Sequence, residues 1–142
     1  MISRDFIKRQ LEELGRAIAK VISDMLKLKG LGKADKGLVL AEESLKSTFD
    51  LEIENILEAA QDNFVDVLIV EKKFSPAHLS DLGDLLYASA ELFEAKNEID
   101  KAKNLYQKVL TIFNYVNFTE KTFSLQRNNK IETIIFTKGI IN

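Results

Sequence analysis

Residues 86–109 read LYASAELFEAKNEIDKAKNLYQKV, and this stretch decides the fold of the chain. It contains two runs of apolar residues at helical spacing, joined across KNEID, and this pattern predicts a helix on each side of a turn. The whole chain of 142 residues has one proline and six glycines. Both residue types are disfavoured inside helices, so their scarcity favours helix elsewhere too. We therefore predict an all-α fold of five to six antiparallel helices in a single domain, residues 1–142.

Apolar periodicity places six helices along the chain, at about residues 3–29, 34–48, 52–73, 75–97, 99–116 and 119–135. Ser75 is the expected N-cap of the fourth helix, with Pro76 at its first position, where the missing N–H is harmless. Ser3 is the expected N-cap of the first helix. Ile2 and Ile7 flank it with the spacing of a hydrophobic staple.

Three places allow more than one interpretation. FDLEIEN at 49–55 alternates like a short strand, but no partner strand is evident and we prefer a connection between helices. Asn117 and Glu120 have the spacing of a capping box for the sixth helix, which the polar run QRNNK would interrupt. The apolar, β-branched end at 134–142 would either dock as an extended segment or form an exposed, adhesive end.

The opening stretch resembles a tetratricopeptide repeat, a helical hairpin of about 34 residues. The pattern has large, small and aromatic residues in the first helix, then small, aromatic and apolar residues in the second. Six residues occupy these places in order: Leu86, Ala90, Phe93, Ala102, Tyr106 and Val109. Asn97 takes the turn position where glycine is common. The resemblance covers about residues 83–116 and implies a right-handed stack of hairpins. The first 22 residues also resemble the start of small uncharacterised bacterial proteins of this repeat-like type.

A second repeat is needed, because a solitary hairpin cannot bury its faces. Two frames compete for it. Gly37, Ala41 and Ser44 fit the spacing if helices 1 and 2 pair, whereas Ala60, Phe64 and Val67 fit if helices 2 and 3 pair. We prefer the second frame, because its residues are more like those of the opening stretch.

The resemblance also implies a binding groove lined by the fourth helix. The groove positions carried onto this chain are Asp84, Tyr87, Glu91, Glu94 and Ala95. Repeats that clamp a terminal carboxylate use basic residues there, so this acidic face favours a basic protein or peptide. The alternative interpretation is that these residues are solvated charges on an exposed helix.

Composition excludes several other functions. With 20 basic and 22 acidic residues the net charge is −2. The chain therefore lacks the basic excess that is typical of proteins that bind nucleic acid or an anionic membrane. No cysteine is present, so disulfides and thiolate chemistry are excluded. We found no apolar signal region and no membrane-length apolar run, and expect a cytoplasmic protein.

No catalytic motif is found. His78, the single histidine, lies one turn before Asp81, but a polar residue is ordinary in the first turn of a helix. GLGK at 30–33 lacks the length of a phosphate-binding loop, and its glycines are expected to end the first helix. The acids of the third helix lack the partner histidine of a di-iron site and are expected to be solvated; they are Glu52, Glu54, Glu58, Asp62 and Asp66.

From these features we predict a protein that is not an enzyme and needs no cofactor or metal. It would bind a protein or peptide through the groove positions Asp84, Tyr87, Glu91 and Glu94. The alternative is a structural α-helical bundle that acts as a homo-oligomer, which the apolar end of the chain favours.

Overall fold

The computed structural model of the chain describes residues 3–121 and 123–140. Over these residues the protein is all-α, and they contain no strand, as predicted. The seven α-helices of the described chain are α1 (Arg4–Gly30), α2 (Ala34–Ser44), α3 (Ile53–Glu58), α4 (Phe64–Val70), α5 (Pro76–Ala95), α6 (Ile99–Glu120) and α7 (Leu125–Glu132). Wider π-helical turns continue α2 through Leu45–Phe49 and α7 through Thr133–Thr137, and a 3-10 turn, Gln61–Asn63, precedes α4.

The pair α5 and α6 forms the centre of the molecule. All six repeat-pattern residues of the opening stretch lie in the core, none more than 6% exposed. Asn97 adopts the left-handed conformation between the two helices, with φ 63°, as its turn position predicts. The amide of Glu98 donates to the carbonyl of Phe93 at 2.9 Å, which satisfies a carbonyl at the end of α5.

Helices α1 and α2 pack against each other and against α5. The hydroxyl of Ser3 accepts a hydrogen bond from the amide of Phe6 at 3.1 Å, so the predicted N-cap is confirmed. Gly37 permits close approach, because a Cβ there would lie 2.9 Å from a methyl carbon of Leu92. Since α3 and α4 pack against α6 instead, this arrangement favours pairing the first two helices over the frame we preferred.

The third predicted helix, at 52–73, is wrong as one continuous element. Ala59 and Ala60 are both extended, with ψ 141° and 133°, and they separate α3 from the turn that leads into α4. The break changes which residues face the core: Val65 and Leu68 are buried, whereas Val67 is 37% exposed. Two short helices can therefore each present an apolar face to α6, which one straight helix of this sequence would not do.

Hydrogen bonds join α6 to residues on both sides of this break. The Asn104 amide donates to the carbonyl of Leu57 at 3.0 Å. Gln61 donates from its side-chain amide to the hydroxyl of Thr111 at 2.7 Å and to the carbonyl of Gln107 at 3.1 Å. The helix signal of 52–73 is overridden by these tertiary contacts, whose partners lie more than 40 residues away in sequence.

The predicted sixth helix, at 119–135, also needs correction. Asn117 and Glu120 do not cap a new helix, because α6 runs through both and ends at Glu120. The N-cap of α7 is Ser124, whose hydroxyl accepts a hydrogen bond from the amide of Arg127 at 3.2 Å. The run QRNNK forms the interior of α7 rather than an interruption. Ile2, half of the predicted staple, and residues 141–142 lie outside the described part of the chain.

Candidate functional site

The predicted groove positions lie along one stripe of α5, and each of their three acids has a lysine partner. We call Asp84, Tyr87, Glu91 and Glu94 the acidic face.

Asp84 pairs with Lys130 at 2.7 Å and Glu94 with Lys138 at 3.0 Å. Glu91 pairs with Lys29 of α1 at 3.6 Å, and Ala95 is exposed at the end of α5. Intramolecular lysines therefore neutralise the stripe that the sequence presents as acidic.

Two of these lysines come from residues 125–140, which we call the C-terminal segment. Lys130 and Lys138 are eight residues apart, and Ile134 lies midway between them in the sequence. Ile134 is completely buried, and Ile140 is 7% exposed. The segment thus contributes an apolar side chain to the core between two cations that reach the acidic face. Ile134 and Ile140 of the apolar end therefore dock, but through a π-helical turn at Thr133–Thr137 and not as the extended segment of our first interpretation, and Phe136 stays exposed.

Aromatic rings line the face beneath these lysines. Tyr87 is partly buried and meets Tyr106 of α6 edge to face, with ring centroids 5.5 Å apart. The Lys130 ammonium lies 5.6 Å from the ring centroid of Tyr87, and that of Lys138 lies 5.5 Å from Tyr106. Each lysine therefore meets both a carboxylate and an aromatic ring, a combination that attracts cations.

Glu94 is the most strongly held carboxylate of the face. Its partial burial opposes ionisation, but hydrogen bonds from Tyr106 and Lys138 outweigh that effect and lower its pKa. The Tyr106 hydroxyl donates to Glu94, and burial together with this carboxylate raises the pKa of the phenol. Tyr106 therefore remains a neutral donor and Glu94 a charged acceptor at neutral pH, which preserves a negative site for a cation.

A polar contact anchors the start of the C-terminal segment to the end of α6. Nε of Arg127 donates to the Asn117 side-chain oxygen at 2.6 Å, and the Asn117 amide donates to Asn128 at 3.2 Å. At the other end of the segment, an open cleft of about 330 Å³ lies beside Lys138 and Tyr106. The segment is held at its start by Asn117, in its middle by the burial of Ile134 and near its end by the ion pair between Lys138 and Glu94.

Sequence reasoning found the acidic face but missed its occupant. The signal was present in the tail, where Lys130, Ile134 and Lys138 repeat every four residues and so share one face of a helix. The apolar content of the tail alone does not reveal this pattern. Pairing this pattern with Asp84 and Glu94 requires knowing that a chain reversal near residue 121 brings α7 back to α5.

The remaining candidate residues have structural partners. His78 completes a capping box with Ser75: its Nδ1 lies 2.7 Å from the Ser75 hydroxyl, which in turn accepts from the His78 amide. The five acids of the predicted third helix are all exposed. Over residues 3–121 and 123–140, no cluster of three or more histidine or carboxylate side chains could hold a metal ion.

Lys108 is a buried cation that the sequence analysis overlooked. It is only 2% exposed, its ammonium donates to the Asn104 side chain at 2.6 Å, and it lies 5.8 Å from the ring centroid of Phe64. Burial lowers its pKa. The contact with Phe64 joins the first residue of α4 to α6, so Lys108 belongs to the packing beneath the helix break.

Asp81 is a half-buried carboxylate in a cleft between α1 and α5, with Lys8 and Glu12 nearby. Burial, and the charge of Asp84, raise its pKa to about 6. Its folded-state pKa thus exceeds the unfolded value, so the native state binds the proton more tightly. The contribution of Asp81 to the free energy of unfolding is therefore greatest below pH 4. It is lost as the pH rises from about 4 through about 6.

We therefore expect Asp81→Asn to raise the free energy of unfolding at pH 7.5 by roughly 1 kcal/mol, a value reduced for partial solvent screening. Urea denaturation from pH 4 to 8 would measure it. The gain over wild type should grow between pH 4 and 6.5 and then level off. Asp62→Asn, at an exposed carboxylate, is the matched control and should change the free energy of unfolding by less than about 0.5 kcal/mol. An equal gain at all pH values would contradict the assignment.

Comparison with known proteins gives no match: neither a family model, nor a curated protein, nor a solved structure matches this chain. No helix of the described residues combines the length and apolar character required to cross a bilayer.

Proposed function

We propose that this protein is a non-enzymatic interaction module that binds an amphipathic helical segment on the acidic face of α5. The segment would carry two lysines eight residues apart, with an aliphatic side chain midway between them. One observation carries the proposal: the chain's own C-terminal segment has this pattern and occupies this face, with Lys130 on Asp84, Lys138 on Glu94 and Ile134 buried between.

Affinity and specificity would come from different parts of this pattern. The two ion pairs are partly exposed, and pairs of this kind contribute about 0.2–1 kcal/mol each. Burying an isoleucine side chain contributes about 1.5–3 kcal/mol. The aliphatic residue would therefore supply most of the affinity. The lysines would fix the register, because a shift of one residue would separate both charges from their carboxylates.

We also propose that α5 and α6 form one tetratricopeptide-like unit and that α1 and α2 form a second. Burial of all six pattern residues supports the first unit. The packing of α2 against both α1 and α5 supports the second. The broken stretch that holds α3 and α4 would then be an irregular insertion between the two units.

The test uses a full-length chain whose own segment is driven off the face. In this segment-reversed variant, Lys130→Glu and Lys138→Glu place negative charges opposite Asp84 and Glu94. A fluorescent peptide of residues 124–140 is titrated onto it and followed by anisotropy. We expect saturable binding that weakens with added salt, because two charge pairs contribute.

The matched control adds Asp84→Lys and Glu94→Lys to the same chain. This fourfold variant has a basic face, and its reversed segment can pair with that face again. It should bind the peptide far more weakly than the segment-reversed variant. Equal affinity for the two proteins, or no binding to either, would overturn the proposal.

A homo-oligomeric structural role is the second candidate. The observation that favours it is a group of exposed apolar side chains near the end of α6 and in the C-terminal segment. These are Phe118 (79% exposed), Phe123 (75%), Leu125 (63%) and Phe136 (81%). These exposed side chains support self-association better than the apolar tail as a whole does, because Ile134 and Ile140 of the tail are buried within the chain.

A further inference from the structure

We propose that two copies of this chain associate by exchanging their C-terminal segments, so that residues 125–140 of each copy occupy the acidic face of the other. This inference rests on the proposed function and names the partner as a second copy. The charge pattern supports this partner, because a second copy presents the same lysines at the same spacing to the same carboxylates. Such exchange forms a closed dimer without requiring a new binding surface.

The contacts that hold the segment are suited to exchange, because they join residues on opposite sides of one linker. The linker between α6 and α7 spans 121–124. Asp84, Glu94 and Asn117 all precede it, whereas their partners Lys130, Lys138 and Arg127 all follow it. Each of these contacts can therefore form again with the second copy, and the exchange sacrifices none of them.

The backbone at the start of the linker favours an open arrangement, in which the C-terminal segment has left the acidic face of its own chain. Lys121 ends α6 in the left-handed conformation, with φ 57°. That conformation is costly for a residue with a side chain, and helix ends of this kind usually carry glycine or asparagine. Residues 117–138 contain neither glycine nor proline, so nothing in their composition prevents α6 from extending through the linker. Opening would release the unfavourable conformation at Lys121.

Exposed apolar side chains lie where the two linkers of an exchanged dimer would meet. Phe118 and Phe123 are 79% and 75% exposed, and Leu125 is 63% exposed. In a reciprocal exchange the two linkers run between the copies and lie next to each other around the two-fold axis. These side chains would then bury one another, a gain that the single chain does not provide.

A charge-complementation experiment tests the exchange with full-length proteins. The segment-reversed variant carries an acidic segment and an acidic face. A face-reversed variant, with Asp84→Lys and Glu94→Lys, carries a basic segment and a basic face. Either variant alone has like charges at both ion-pair positions, whether closed or exchanged with itself. Mixed together, each segment meets a face of opposite charge on the other chain.

Native mass spectrometry of the mixture distinguishes the outcomes, because the two variants differ in mass. We expect the heterodimer in roughly tenfold excess over either homodimer, since like charges oppose both homodimers at two sites. A mixture that stays monomeric, or that pairs at random, would overturn the exchange. The fourfold variant that carries all the reversals in one chain is the folding control. Its helical circular dichroism should match that of wild type.

Lys121→Gly tests the linker separately in the wild-type background. Glycine adopts the left-handed conformation without the steric cost, so the closed monomer is stabilised. We expect the dimer dissociation constant in sedimentation velocity to rise about fivefold or more, the lower end of the steric cost of the left-handed conformation for a residue with a side chain. A wild-type chain with no dimer at high micromolar concentration would overturn the proposal. So would a dimer fraction unchanged by Lys121→Gly.

The two proposals can fail separately. If the 124–140 peptide binds the segment-reversed variant but the two variants form no heterodimer, exchange is wrong and the binding face remains. If the peptide does not bind, the proposed function is wrong. Random pairing of the two variants in that case would assign the association to the exposed apolar residues Phe118 and Phe123.

Discussion

Gly83→Ala is expected to lower the free energy of unfolding by about 1–3 kcal/mol, the usual cost of overfilling a packed core. A Cβ at Gly83 would lie 2.4 Å from Cε1 of Phe113 and 3.1 Å from its Cζ. Phe113 is completely buried, so its ring has no open space to move into. Alanine normally stabilises a helix by about 1 kcal/mol relative to glycine, which makes the sign of the result informative.

Urea denaturation monitored by circular dichroism measures this effect, with Gly15→Ala as the matched control. Gly15 lies inside α1, and its added Cβ would be 3.7 Å from the Asp81 carboxylate, an ordinary contact. The control should therefore gain up to about 1 kcal/mol from helix propensity. If Gly83→Ala also stabilises the protein, the close contact between α5 and α6 at Phe113 is wrong.

Ile134→Ala should release the C-terminal segment while the rest of the fold stays intact. Ile134 is completely buried, and truncating such a residue to alanine costs about 2–5 kcal/mol. The remaining contacts of the segment include the buried Ile140, two partly exposed ion pairs and the polar contact at Asn117, and none of them replaces the packing lost at Ile134. Amide protection in residues 125–140 should fall by about 30-fold or more, the equivalent of 2 kcal/mol.

Hydrogen exchange read by mass spectrometry locates this effect along the chain. Protection in α5 and α6 should change little, because their core residues keep their neighbours. Phe136→Ala is the control: its side chain is 81% exposed, so protection should be unchanged throughout. If α5 and α6 lose as much protection as the segment does, residues 125–140 belong to one cooperative core and are not a separable ligand.

The parts of the fold that the sequence predicted are those decided by local pattern. Ser75 and Pro76 define the start of α5, and all six repeat-pattern residues of 86–109 are buried, because cap chemistry and helical periodicity act within a few residues. Contacts across 40 or more residues are not visible in such patterns. The hydrogen bond from Asn104 to the carbonyl of Leu57 helps break the helix predicted at 52–73.

The candidate site shows the same division between local and distant information. Helical spacing alone puts Asp84, Tyr87, Glu91 and Glu94 on one stripe of α5, and their role as a binding face stays a prediction. Their partners were not predicted, because Lys130 and Lys138 lie 46 and 44 residues beyond Asp84 and Glu94. An acidic stripe on one helix and a lysine pair at helical spacing on another are complementary features, and together they could have suggested the contact.

The central claim is that the acidic face recognises lysines at fixed positions on either side of an aliphatic residue. The most direct measurement compares two peptides on the segment-reversed variant. One is residues 124–140, and the other has the same composition but exchanges Lys130 with Asn129 and Lys138 with Thr137. This change keeps the net charge and the lysine spacing but shifts both cations by one position relative to Ile134. The claim predicts roughly tenfold weaker binding of the shifted peptide, since two ion pairs are lost. Equal affinities would contradict it, because the face would then respond to charge alone.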